Sequence, residues 1–158
     1  FVRDNIIKNH KVGIVSAIIK KVAYEKDPKG FDNKYNIIGD FDFFVRLSEF
    51  WNFECVQEPL AYYRIHEKNF SHQNLSLEIK ELENWHNDHI NNNFLTNSES
   101  KYVLSNINYI KCKKLIFEGK KLRAALGFFS IKNNSFKTKL LIRLLIPTFL
   151  IKWIQNIK

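Results

Sequence analysis

Residues 38–47 have the sequence IGDFDFFVRL. From Asp40 onward, apolar residues recur at the spacing of an amphipathic helix, while Asp42, Arg46 and Glu49 lie on its other faces. Asp42 and Arg46 are four residues apart, in the order that stabilises a helix through an ion pair. The stretch therefore predicts a helix that begins near Asp40 and packs by one face. The apolar residues of that face are Phe43, Phe44, Leu47, Phe50 and Trp51.

Segments on both sides of this helix have the composition of strands. Residues 12–19 are apolar and rich in β-branched side chains, which predicts a buried strand. Residues 27–30, DPKG, are a turn signal. Residues 53–56 predict a short strand, and residues 60–66 predict another after the break at Pro59. The first 70 residues or so therefore predict an α/β fold.

The rest of the chain predicts helices alone. Helical spacing runs from about Leu75 to Ile90 and ends at three asparagines. Thr96 and Glu99 form a capping-box sequence, which predicts a helix of about 20 residues as far as Glu118. Gly119 interrupts it, and residues 120–131 predict a partner helix. An all-α extension with a helical hairpin is therefore expected.

Positive charge is concentrated at the end of the chain. The 158 residues carry a net charge of +9. Residues 1–100 contain 12 basic and 15 acidic residues, whereas residues 101–158 contain 13 basic residues and a single acid, Glu118. Such an excess favours a polyanionic partner, either nucleic acid or anionic lipid. The basic segment lacks an arginine-rich or glycine–aromatic pattern, which argues against nucleic acid.

Residues 135–158 predict a basic amphipathic C-terminal helix. Lys139, Arg143 and Lys152 interrupt its apolar run, so it does not suit a transmembrane span. Interfacial binding to an anionic membrane and packing on the body of the protein both remain open. Cys55 and Cys112 match no metal or redox spacing, which fits a reducing cytoplasm. The expected location is cytoplasmic, with peripheral binding to the inner face of the cell membrane as the membrane alternative.

Three side chains are candidates for chemistry. A carboxylate at Asp40 lies near the start of a helix, where it either caps the helix or serves as a general base for a hydroxyl. On the predicted strand 60–66, Arg64 and His66 point to the same face. A guanidinium and an imidazole side by side suit a metal–diphosphate group, with His66 as a metal ligand.

Three motifs together resemble a known family. They are Gly30-Phe31-Asp32, then residues 39–47 (GDFDFFVRL), then residues 58–66 (EPLAYYRIH), which lead to residues 69–71 (NFS). Their order and spacing over residues 12–71 resemble the C-terminal, acceptor-side half of a family 2 glycosyltransferase. The resemblance implies an incomplete A-type glycosyltransferase fold, an α/β arrangement of few strands and a helix.

The resemblance also implies a reaction. Family members move a sugar from a nucleotide-diphosphate donor to an acceptor hydroxyl, usually with inversion and a divalent metal such as Mg or Mn. The parent enzyme would act in cell-surface polysaccharide synthesis, with a glycan or a lipid-linked acceptor. Asp40 matches the catalytic base of the family.

Other residues match positions around that base. Gly30, Phe31 and Asp32 match the loop that lines the site, and Gly39 stands where the family often has glutamate. Asp42 and Arg46 match the positions that follow the base on its helix. His66 matches the C-terminal histidine that helps hold metal or diphosphate, and Arg64 beside it is expected to bind diphosphate.

The expected organisation has three parts. Residues 1–71 would be the C-terminal half of a catalytic domain, residues 72–134 a helical extension, and residues 135–158 the basic helix. The chain has no methionine and starts without a signal peptide, so we expect a piece of a longer protein or a processed protein. That piece would lack the nucleotide-binding half and would be inactive alone. The alternative function is a non-enzymatic basic helical module that binds anionic membrane or nucleic acid.

Overall fold

The structure is a computed structural model that describes residues 2–9, 12–62, 64, 70–147 and 150. Every regular element within these ranges is a helix. The chain divides into two compact units, a first unit Phe1–Arg64 and a second unit Ile65–Lys158. The α-helices are α1 Val2–Asn9, α2 Lys21–Lys26, α3 Gly39–Leu47, α4 Phe70–Gln73, α5 Leu75–Asn91, α6 Asn97–Phe117, α7 Lys121–Leu126 and α8 Asn134–Leu145, with 3-10 helices at Ile14–Ser16 and Gly127–Ser130.

Helix α3 is the centre of the first unit. The helix predicted from Asp40 is confirmed, and its predicted apolar face is buried at Phe43, Phe44 and Leu47. Burial extends further round the helix than predicted, because Asp42 is only 2% exposed. Helix α1 packs against α3. An ion pair between Arg3 and Glu49 links the N-terminal helix to the residues that follow α3.

The predicted strand at residues 12–19 is wrong. The structure has a 3-10 helix at Ile14–Ser16 with no buried residue, and Ile18 is 97% exposed. A strand is stable only beside other strands that pair with its backbone groups and cover one face. None of the described residues forms such a partner strand. The β-branched composition of this segment therefore has no sheet to join.

The strands predicted at residues 53–56 and 60–66 meet the same difficulty. Residues 52–62 are irregular, and Tyr62 is fully exposed. Residues 63 and 65–69 lie outside the described part, so the end of the second predicted strand is not covered. The predicted α/β fold, an incomplete A-type glycosyltransferase fold with few strands and a helix, is thus contradicted: every regular element of the described residues is a helix.

In the second unit, α6 is the common partner of the other helices. Helices α5, α7 and α8 and the 3-10 helix after α7 all pack against it. Its C-terminal half contributes Cys112 and Ile116 to an apolar core. At the other side of the core, Ser105 Oγ accepts hydrogen bonds from the backbone N–H groups of Lys132 and Asn133, at 2.8 and 2.9 Å. This polar contact fixes the start of α8. The remaining buried core residues are Ala124, Ile131, Phe136 and Leu140.

The helix boundaries predicted in this unit are confirmed at most points. Helix α5 ends at the asparagines, where Asn93 has a φ of 54°. The capping box at Thr96 is present, and Gly119 ends α6 in the left-handed region with a φ of 79°. Glycine adopts this conformation at no steric cost.

Two predicted helices differ in detail. The partner helix predicted at 120–131 is α7 followed by the 3-10 helix Gly127–Ser130, so it is two short elements. Of the C-terminal helix predicted at 135–158, the described part ends at Leu145, because the residue before Pro147 takes an extended conformation. Most of its remainder lies outside the described residues. None of the helices in the described chain combines the length and the apolarity needed to cross a bilayer.

The capping box generates a stability prediction. Thr96 Oγ1 accepts a hydrogen bond from the N–H of Glu99, and the Glu99 carboxylate accepts one from the N–H of Thr96 at 2.8 Å. Thr96→Ala should lower the free energy of unfolding by about 0.5–2 kcal/mol, measured by urea denaturation. Thr96→Ser keeps the hydroxyl and is the matched control. Equal losses in both variants would contradict a capping role.

A second prediction concerns Gly127. Its φ of −67° suits any residue, but a Cβ there would collide with Sγ of the buried Cys112. Gly127→Ala should therefore destabilise the second unit by about 1–3 kcal/mol, whereas Gly13→Ala, which has room, should be nearly neutral. Adding Cys112→Ala should recover part of the loss in a double-mutant cycle. Strictly additive losses would mean that the two residues do not collide.

Candidate functional site

The candidate site is organised by the side chain of Arg46 near the end of α3. Its guanidinium pairs with Asp27 and, through Nε at 3.0 Å, with Oδ2 of Asp42. It also donates to the carbonyl oxygen of Gly30. The exposed fractions of the Arg46, Asp27 and Asp42 side chains are 11%, 5% and 3%. Two carboxylates and a carbonyl therefore surround one largely buried cation.

This network holds the loop of residues 30–32, which precedes Asp40 in the sequence, through the carbonyl oxygen of Gly30. Gly30 has a φ of 54°, and a Cβ at that position would lie 2.9 Å from the hydroxyl of Tyr24. Phe31 stacks on Phe43 of α3 with ring centroids 4.4 Å apart, yet it stays 39% exposed. Asp32 is partly exposed, and its Oδ1 accepts a hydrogen bond from the N–H of Lys34 at 3.1 Å. The structure thus brings Gly30 and Phe31 to α3, and Asp32 follows them in the same loop.

The carboxylates of this region have different surroundings. Asp27 and Asp42 are buried and paired with Arg46. Asp40 lies in the first turn of α3, is partly exposed, and accepts a hydrogen bond from the N–H of Phe41 at 2.8 Å. Gly39, the first residue of the helix, is also partly exposed. A partly exposed carboxylate at the first turn of a helix can accept a hydrogen bond, and then a proton, from a bound hydroxyl.

The predicted diphosphate and metal group is only partly within the described chain. Arg64 is an exposed residue outside any regular element, and His66 lies outside the described residues. Across the ranges that are described, no three His, Cys, Asp or Glu side chains are grouped so that they could hold a metal ion. The described residues therefore do not fit a divalent metal by themselves.

Sequence reasoning missed the role of Asp27. The turn predicted at residues 27–30 is present, and Asp27 Oδ1 accepts a hydrogen bond from the N–H of Lys29 at 3.1 Å. Its second oxygen pairs with Arg46, 19 residues away. A local pattern carries no signal for such a pair. The one indication in the sequence is that Arg46 lies on a helix that is apolar on most sides. An arginine buried there needs acceptors for several N–H groups, more than Asp42 alone provides.

A separate cavity lies in the second unit, between the start of α5 and the end of α6. Its volume is about 300 Å³, and Lys113, Lys114 and Glu118 lie among its lining residues. Burial lowers the pKa of Lys113 from its ordinary value, and nearby Arg143 lowers it further while Glu78 opposes the change. A hydrogen bond from Lys120 is the main cause that lowers the pKa of Glu118. The described lining residues therefore supply charge but no group of side chains arranged for catalysis.

Comparison with protein-family models, curated proteins and solved structures finds no match for this chain. The resemblance to family 2 glycosyltransferases therefore rests on the residues quoted above.

The Arg46 network generates a prediction. Arg46→Met should lower the free energy of unfolding by about 3–5 kcal/mol, because it removes the cation that pairs with the two buried carboxylates of Asp27 and Asp42. Amide hydrogen exchange of α3 would measure the loss locally. The matched control is Lys8→Met, which breaks an exposed pair with Asp4 and should cost no more than about 1 kcal/mol. Similar losses in the two variants would show that Arg46 does not support the loop.

Proposed function

We propose that these residues belong to a glycosyltransferase that moves a sugar from a nucleotide-diphosphate donor to an acceptor hydroxyl, with inversion, in cell-surface polysaccharide synthesis. They would form the acceptor side of its site. The observation that carries the proposal is the joining of two of the three motifs. Arg46 holds the Gly30-Phe31-Asp32 loop on the helix that presents Asp40.

In the proposed reaction, Asp40 is the general base. Its carboxylate takes the proton of the acceptor hydroxyl while that oxygen attacks the anomeric carbon. The bond from the anomeric carbon to the donor diphosphate then breaks, and the diphosphate leaves with the electron pair. Attack from the face opposite the leaving group accounts for inversion.

The neighbouring residues support this role in different ways. The exposed part of Phe31 offers apolar surface against which a sugar ring can pack. Phe43 stacks on the other face of Phe31 and holds the phenyl ring of Phe31 in place. Asp42 is committed to Arg46, so it is a positioning residue rather than a second base. Arg64 and His66 are proposed to contact the diphosphate, with His66 as a ligand of its metal. We place the enzyme in the cytoplasm.

The test is Asp40→Asn in the natural polypeptide that contains these residues. Loss of a general base should lower turnover by about 10²–10⁴-fold with little change in donor affinity. Release of nucleoside diphosphate from a panel of nucleotide sugars would measure it. The matched control is Asp88→Asn, the same chemical change at an exposed position of α5, which should stay within about threefold of wild type.

A capping role for Asp40 gives a different result. If the carboxylate only stabilises α3, Asp40→Asn should lower the free energy of unfolding by about 0.3–1 kcal/mol and leave turnover unchanged. Thermal denaturation of the same variant separates the two roles. Turnover within threefold of wild type would rule out Asp40 as the base.

A further inference from the structure

The second unit exposes a row of large apolar side chains on the outer side of α7 and the 3-10 helix after it. Leu122, Leu126 and Phe129 are 87%, 75% and 84% exposed. Their spacing of four and then three residues places them on one side of a helix. We call these three residues the apolar stripe.

The same short segment is apolar on its inner side as well. Ala124 and Ile131 are fully buried, and Phe128 packs against the core. Since these inner residues are also spaced by four and three, they lie opposite the apolar stripe. The core therefore accounts for one set of apolar residues and leaves the other in solvent. Three such side chains in a row mark an interaction surface more often than a scatter of single exposed residues does.

A further apolar side chain lies near the start of the stripe. Lys121 Nζ donates hydrogen bonds to the carbonyl oxygens of Leu144, at 3.0 Å, and Ile146, at 2.5 Å. These bonds hold the end of α8 at the beginning of α7. Leu145, between the two acceptor residues, is 84% exposed. The apolar surface therefore continues from α7 onto the end of α8.

The charge around this surface is predominantly positive. Lys120, Arg123 and Lys132 are exposed within or next to the segment. Glu118, the single acid of residues 101–158, is already paired with Lys114 and Lys120. Exposed leucine and phenylalanine combined with an excess of lysine and arginine is the composition of helices that lie in the interface of an anionic bilayer.

We propose that the apolar stripe docks on an anionic lipid surface, with Leu122, Leu126 and Phe129 inserted at the headgroup level and the surrounding basic residues on lipid phosphates. A second copy of the chain is a poorer occupant, because the basic surface would face another of the same sign. Nucleic acid is poorer as well, because its phosphates bind charged and polar groups and would leave the three apolar side chains in water. The proposal moves membrane contact from the C-terminal helix to α7.

The experiment is co-sedimentation of the full chain with vesicles containing about 30% phosphatidylserine, compared with phosphatidylcholine alone. Wild type should bind the anionic vesicles, and binding should weaken at least several-fold when salt rises from about 0.05 M to about 0.5 M. The variant Leu122→Gln/Leu126→Gln/Phe129→Gln should bind about tenfold or more weakly. Since all three side chains are exposed, its circular dichroism should match that of wild type.

The matched control makes the same kind of change on the first unit. Val15, Ile18 and Val22 are 59%, 97% and 56% exposed, and their triple replacement by glutamine should leave vesicle binding unchanged. Asp40→Asn should also bind as wild type does, so this test is independent of the proposed enzyme activity. Equal binding by the stripe variant and wild type would overturn the proposal, as would absence of wild-type binding. It would also fail if wild type were a dimer that the stripe variant converts to a monomer, or bound DNA more tightly than vesicles.

Discussion

The guanidinium of Arg46 lies among two buried carboxylates and a backbone carbonyl, and the candidate site depends on that arrangement. One partner, Asp42, is on the same helix, whereas Asp27 and Gly30 are on the preceding turn. A buried cation needs a counter-charge and acceptors for its N–H groups. If the turn moved away from α3, the guanidinium of Arg46 would lose the Asp27 carboxylate and the Gly30 carbonyl. The loop that includes Phe31 and Asp32 therefore has a fixed position relative to Asp40.

This arrangement separates carboxylates that look alike in the sequence. Asp40 and Asp42 are two residues apart, and both lie in the first turn of α3. Because Asp42 is buried and consumed by Arg46, only Asp40 combines partial exposure with the helix start. The site proposed here is accordingly a single base supported by a structural ion pair, rather than a pair of catalytic acids.

The second unit is organised by a different constraint. Helices α5, α7 and α8 all pack against α6. A short segment such as α7 buries only one of its sides in the core. The apolar stripe on its other side has no place in the core. Insertion into a lipid surface would remove these side chains from water, which packing within the unit does not do. The catalytic proposal and the membrane proposal thus rest on different units and different residues, and either can fail alone.

Local patterns in the sequence determined helices α3, α5 and α6, whereas the helices at Val2–Asn9 and Lys21–Lys26 were not predicted. Asp40 to Leu47, Leu75 to Asn91, the capping box at Thr96 and the end at Gly119 were all predictable, because helix periodicity and capping depend on residues within a few positions of each other. The Asp42–Arg46 pair followed for the same reason. The interpretation of Asp40 as a general base rests on the order and spacing of the three motifs in the sequence, and it stays a prediction.

The tertiary structure decided what depends on distant partners. Residues 12–19 have a strand's composition, but a strand exists only where another strand pairs with it, and composition cannot supply that neighbour. The ion pair between Asp27 and Arg46 joins residues 19 positions apart, and no periodic pattern in the sequence indicates it. Whether Leu122, Leu126 and Phe129 face a core or solvent likewise depended on which side of α7 meets α6. In each case the deciding contact lies outside the window in which sequence spacing has meaning.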